Sequence, residues 1–135
     1  MSYKETIESF IYDYPILEFH YLNRKDLIFS EKVRFICEHE CEHYGHSWAC
    51  PPAIGSIQSC IRECEKYSRA FLFSTIAQVE DSLNFEACLK ARRQHEDLTL
   101  KLRERFRQEF GDVLALSTGC MQCETCAYPD SPCRH

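Results

Sequence analysis

Seven of the ten cysteines in this 135-residue chain fall into two tight groups, and thiolates at such spacing are built for metal or redox chemistry. The terminal group runs from Gly119 to Cys133. It places Cys120, Cys123 and Cys126 two residues apart and adds Cys133 beyond Pro129 and Pro132. A loop of that spacing can wrap three sulfurs around one corner of a cubic iron-sulfur cluster and leave the fourth iron to a more distant cysteine. Zinc sites more often draw on two separate pairs. Burial as plain core thiols is the weaker reading, because a loop of Gln122, Glu124, Thr125, Pro129 and Asp130 has little core to enter. For the fourth ligand, Cys133 is nearest, and its two prolines reduce the entropy lost on closing the loop. Cys50 is the alternative, because a cysteine followed by proline serves as the remote ligand in ferredoxin-type clusters.

The second group, Cys37 to Pro52, carries Cys37, Cys41 and Cys50 with His39, His43 and His46. That is more than a tetrahedral ion requires, so composition permits zinc or an iron-sulfur cluster. Radical chemistry with S-adenosylmethionine would need a cysteine at position 44, where the chain has Tyr44, and is set aside. With an iron-sulfur cluster the three histidines are expected outside the ligand set. With zinc, Cys37, Cys41, His46 and Cys50 would close one tetrahedral site and Cys120, Cys123, Cys126 and Cys133 a second. Thiol-disulfide exchange through Cys120 and Cys123, or Cys123 and Cys126, ranks last because the thioredoxin-like strand, cysteine pair and following helix are missing.

At these motifs the chain resembles the predicted metal-binding proteins grouped as domain of unknown function 2284. The residues that carry the resemblance are Cys37, Cys41, Tyr44-Gly45, Trp48, Cys50-Pro51-Pro52, Gly119-Cys120, Cys123, Cys126 and Pro132-Cys133-Arg134, and it covers roughly Leu27 to the end. It implies metal binding by Cys37, Cys41, Cys50, Cys120, Cys123, Cys126 and Cys133, with an iron-sulfur cluster the usual suspicion, and it brings no reaction with it. Relatives of that kind continue beyond the Pro-Cys-Arg segment, so the resemblance also implies a terminal site that is exposed here or completed by a partner.

The elements that must position these groups follow from patterning. Tyr3 to Tyr12 reads as a short helix burying Ile7, Phe10 and Ile11, and Ile16 to Tyr21 alternates as a half-buried strand. Val33 to Ile36 is a second strand candidate running into Cys37. Ser56 caps a helix to about Tyr67 whose apolar stripe is Ile57, Cys60, Ile61 and Cys64. Ala70 to Ala77 reads as an interior strand. Ser82 to Phe110 is helical and ended by Gly111; at roughly 40 Å it is long enough that a kink or break near Gln94 to Asp97 is expected. Val113 to Leu116 would be a last strand delivering Cys120. The sum is a single α+β or α/β domain over residues 1–135, a few-stranded sheet packed by helices, with the cysteine loops at strand ends.

With 21 acidic and 16 basic residues the net charge is -5, which argues against nucleic acid. The basic residues Lys90, Arg92, Arg93, Lys101, Arg103, Arg105 and Arg107 are interleaved with Glu96, Asp97, Glu104 and Glu109, which suits a solvated, ion-paired face. No apolar stretch is long enough for a membrane span, and residues 1–10 lack the apolar run of a signal peptide. A reducing cytoplasm is therefore expected, and in that compartment clustered cysteines read as metal or redox ligands before disulfides. Cys60, Cys64 and Cys88 are expected not to be ligands. No phosphate loop, nucleophile motif or acid pair marks an enzyme. The function expected is a cytoplasmic metal-binding protein holding one or two 4Fe-4S clusters for electron transfer with an unknown redox or regulatory protein. The alternative is a zinc-stabilised interaction module, in which the metal supplies folding energy and no redox activity.

Overall fold

The computed structural model describes residues 1–135. The fold is α+β, with four α-helices and a two-stranded antiparallel sheet. The chain divides into two compact units, Met1–Tyr21 with Phe71–Ser117, and Leu22–Ala70 with Thr118–His135. The two strands, β1 (Glu18–Asn23) and β2 (Arg69–Ser74), run from one unit into the other. Their register is set by Leu17 N–H donating to the Ser74 carbonyl at 2.8 Å and Arg24 N–H to the Ser68 carbonyl at 3.0 Å.

The first unit holds most of the buried apolar core. Helix α1 (Tyr3–Glu8) starts at a capping box: Ser2 Oγ accepts from Glu5 N–H at 3.2 Å and the Glu5 carboxylate accepts from Ser2 N–H at 2.7 Å. A 3₁₀ turn at Ile11–Asp13 follows, and Ile11 is fully buried. Ile7, Phe10 and Ile11 pack with Leu98 and Leu102, and Phe19, Tyr21, Phe71, Phe73 and Phe106 close around them. The last three residues of that set on the long helix lie on one side of α4, which is defined as Phe85–Phe110, capped by Asn84 and ended by Gly111 at φ 82°.

The second unit is built differently. Its helices are α2 (Glu31–Glu40), capped by Ser30, and α3 (Ile57–Glu65), capped by Ser56, whose hydroxyl accepts from Ser59 N–H at 3.1 Å. Arg34 ties α2 to the turn before α3 by donating to the Gly55 carbonyl at 2.8 Å. Gly55 is required there: its φ is 87°, and a Cβ would stand 2.8 Å from Ser59 Oγ. Cys64 is the unit's one hydrophobic side chain in the buried core set. No helix of the chain is long and apolar enough to cross a membrane.

Five expectations are corrected. Val33 to Ile36 lies in α2 and is not a strand; the Ser30 cap with Glu31 in the first turn starts a helix there, overriding the β-branched run. Val113 to Leu116 forms no strand, since nothing pairs with it. Neither Cys37, inside α2, nor Cys120, in irregular chain, sits at a strand end. Ala70 to Ala77 is not interior: the strand stops at Ser74, both strands of a two-stranded sheet are edges, and Leu72 is 55% exposed. The long helix also runs unbroken through Gln94 to Asp97, because Glu96, Leu98 and Thr99 are buried at that point and packing holds the turns together.

Candidate metal centre

All seven candidate ligands, Cys37, Cys41, Cys50, Cys120, Cys123, Cys126 and Cys133, belong to the second unit. Cys37 is on the last turns of α2 and Cys41 is its C-terminal cap residue. From Cys41 the chain folds into consecutive tight turns. Tyr44 N–H donates to the Cys41 carbonyl at 3.2 Å, His46 N–H to His43 at 3.1 Å, and Cys50 N–H to Ser47 at 3.2 Å. Gly45, at φ 73°, reverses the chain so that its N–H reaches the Pro51 carbonyl at 2.8 Å. This last bond closes the loop and carries Ser47 and Trp48 at its tip.

That tip holds the terminal cysteine loop. The Trp48 indole N–H donates to the Ser131 carbonyl at 2.8 Å, and the indole meets the Tyr128 ring edge-on at 4.9 Å between centroids. Arg134 folds back to donate to the Thr125 carbonyl at 2.9 Å, and Ser131 N–H reaches the Ala127 carbonyl at 3.1 Å. The Cys126 sulfur lies at the junction. Backbone N–H groups of Tyr128 and Trp48 bond to it and hold its thiol below the usual range; the Ser47 hydroxyl and the Arg134 charge act in the same direction. Donors aimed at a sulfur favour its thiolate, which is the form that binds metal.

The other cysteines differ in setting. Cys41, Cys120 and Cys133 are exposed, and Cys37, Cys50 and Cys123 half-buried. As the side chains stand, no three His, Cys, Asp or Glu groups converge closely enough to hold one ion. The donor set nonetheless suits a thiolate-bound metal: seven cysteines in one unit, one of them already surrounded by N–H donors. His39 packs on Phe35 at 4.0 Å with its Nδ1 2.9 Å from the Phe35 carbonyl, so in the neutral ring Nδ1 carries the proton and Nε2 the lone pair.

The three remaining cysteines lie apart from these loops. Cys64 is buried in α3, and burial pushes its thiol up, which disfavours the thiolate. Cys60, one turn earlier, faces the Ile54 carbonyl at 3.6 Å and Arg34 at 4.0 Å. Cys88 is in the first unit, its sulfur 3.7 Å from the Ser82 carbonyl. Cysteine spacing does not reveal Ser47, Tyr128 and Ser131 as parts of the site; the available signal is an aromatic residue within each cysteine loop.

Compared with known protein families, residues 20–135 match the one described as Predicted metal-binding protein (DUF2284). No curated protein and no solved structure matches the chain.

Proposed function

Since the chain belongs to this family of predicted metal-binding proteins across residues 20–135, we propose that its second unit is organised by an iron-sulfur cluster and exchanges electrons with a protein partner. The observation that carries the reading is the contrast between the units. The second has 67 residues, all seven clustered cysteines and only Cys64 and Pro51 as buried apolar side chains. Chains of that size rarely supply enough apolar core alone and are commonly held by metal or disulfides. Cys120, Cys123 and Cys126 would hold three irons, and Cys133 or Cys50 the fourth. Bound there, an iron-sulfur cluster supplies a one-electron couple whose potential responds to hydrogen bonds at its sulfurs and to exposure.

The protein's part is to position and to donate. Trp48 and Tyr128 fix the distance between the two loops, and the N–H groups on Cys126 stabilise negative charge on its sulfur without needing reorganisation. The contact between the Ser47-Trp48 tip and Cys126 also places the Cys50 loop against the terminal loop, which supports Cys50 as fourth ligand beside the nearer Cys133. The second reading, a zinc-held interaction module, is favoured by His39, whose free Nε2 suits a nitrogen ligand.

Anaerobic purification with iron, sulfide and zinc analysis tests the reading. Brown protein with matching iron and sulfide supports it; colourless protein with stoichiometric zinc overturns it. In the same assay Cys133→Ser losing the cluster while Cys50→Ser keeps it gives the local ligand set, and the reverse gives a site shared by the two loops.

A further inference from the structure

Cys133 stands in a stretch with nothing to pack against. Residues 129–135 are all exposed, so burial does not fix the position of that sulfur, and hydrogen bonds on either side of it must. Before it, Ser131 N–H donates to the Ala127 carbonyl at 3.1 Å, and the Ser131 carbonyl accepts from the Trp48 indole. After it, the Arg134 guanidinium crosses back to the Thr125 carbonyl at 2.9 Å. Thr125 immediately precedes Cys126 and Arg134 immediately follows Cys133, so this one bond closes the loop with both cysteines at its neck.

The guanidinium also brings positive charge to the neck. Glu124 and Asp130, the carboxylates of the terminal loop, form no ion pair with it. Alongside the backbone N–H groups of Tyr128 and Trp48, its charge favours the thiolate of Cys126. Thiolates gathered around one metal centre repel one another, and a nearby cation offsets that repulsion. We propose that Arg134 is a positioning residue: it folds the chain after Cys133 back onto Thr125, holds Cys133 beside Cys126 as the fourth ligand of the terminal site, and offsets the negative charge of the assembled thiolates. The preference for Cys133 over Cys50 rests on the terminal loop being the metal site proposed above, whereas the closure by Arg134 does not depend on which metal fills it.

A double-mutant cycle tests this, with the reduced, metal-free chain titrated with zinc against a chromophoric chelator. Arg134→Ala should weaken zinc binding about five- to tenfold, the loss expected for a charge-assisted hydrogen bond at an exposed position. That cost should shrink to less than about twofold in a Cys133→Ser background and stay in full beside Cys50→Ser. Arg134→Lys, which keeps a donor and the charge, should recover most of the affinity, and Arg134→Gln little of it. In the iron-loaded chain Arg134→Gln should also lower the reduction potential, because removing a positive charge disfavours the added electron, while Arg134→Lys leaves it in place. Arg134→Ala binding within twofold of the unaltered chain, an equal cost with and without Cys133, coupling to Cys50 instead, or equal losses in all three Arg134 variants would overturn the proposal. Metal analysis of the native protein keeps the two ideas apart: stoichiometric zinc removes the electron-transfer reading and leaves the affinity cycle standing, and a cluster-loaded chain whose cycle shows no coupling removes the role of Arg134 alone.

Discussion

Replacing Trp48 tests whether the two cysteine loops act as one site. The indole makes two contacts with the terminal loop, a hydrogen bond to the Ser131 carbonyl and an edge-on ring contact with Tyr128. A hydrogen bond of this kind contributes about 0.5–1.5 kcal/mol net, and an aromatic pair a similar amount. Trp48 is 37% exposed, so water can replace part of what is lost, and the lower half of the first range applies. Trp48→Phe, which keeps the ring contact, should therefore cost about 0.5–1 kcal/mol, and Trp48→Ala about 1–2.5 kcal/mol. If loop closure and metal binding are one event, these become losses in metal affinity of roughly 2- to 5-fold and 5- to 70-fold. Competition of the reduced, metal-free chain against a chromophoric zinc chelator measures both. Trp48→Ala binding within twofold of the unaltered chain would refute the coupling, as would Phe proving as harmful as Ala.

Three further outcomes are expected. Removing metal with a chelator should expose amides in residues 22–70 and 118–135 to hydrogen exchange while those around Ile11 and Leu102 stay protected, because the apolar core lies in the first unit. Cys60→Ala, Cys64→Ala and Cys88→Ala together should leave metal content unchanged, with the stability loss, about 1–3 kcal/mol for a small cavity, arising mainly at buried Cys64; loss of half the metal would make at least one of them a ligand. Tyr21 is pushed up to about 12 by burial and by its hydrogen bond to Glu8, so an ultraviolet titration should show one tyrosine ionising late and Glu8→Gln should bring it down. Its folded pKa lies above the unfolded one, so the stability it contributes is full below about pH 10 and is lost as pH rises toward 12.

Features set by neighbouring residues were legible in the sequence. Ser56 caps α3 and Gly111 ends α4 because each acts on backbone within a few positions, and the apolar spacing of Ile7, Phe10 and Ile11 correctly marked a buried face. Val33 to Ile36 misled because β-branched and aromatic side chains favour strands on average, while the Ser30 cap one turn earlier decides the segment. The two cysteine groups stand out by spacing. The clamp between them does not: Trp48 and Ser131 are 83 residues apart, and no periodicity links a serine hydroxyl in one loop to a sulfur in the other.

X-ray absorption at the iron and zinc edges of the anaerobically purified chain tests the central claim most directly, because it reads the metal and its ligand atoms together. The account predicts iron in an all-sulfur shell with a second iron nearby. Zinc bound by sulfur and a nitrogen at about 2.0–2.1 Å would contradict it.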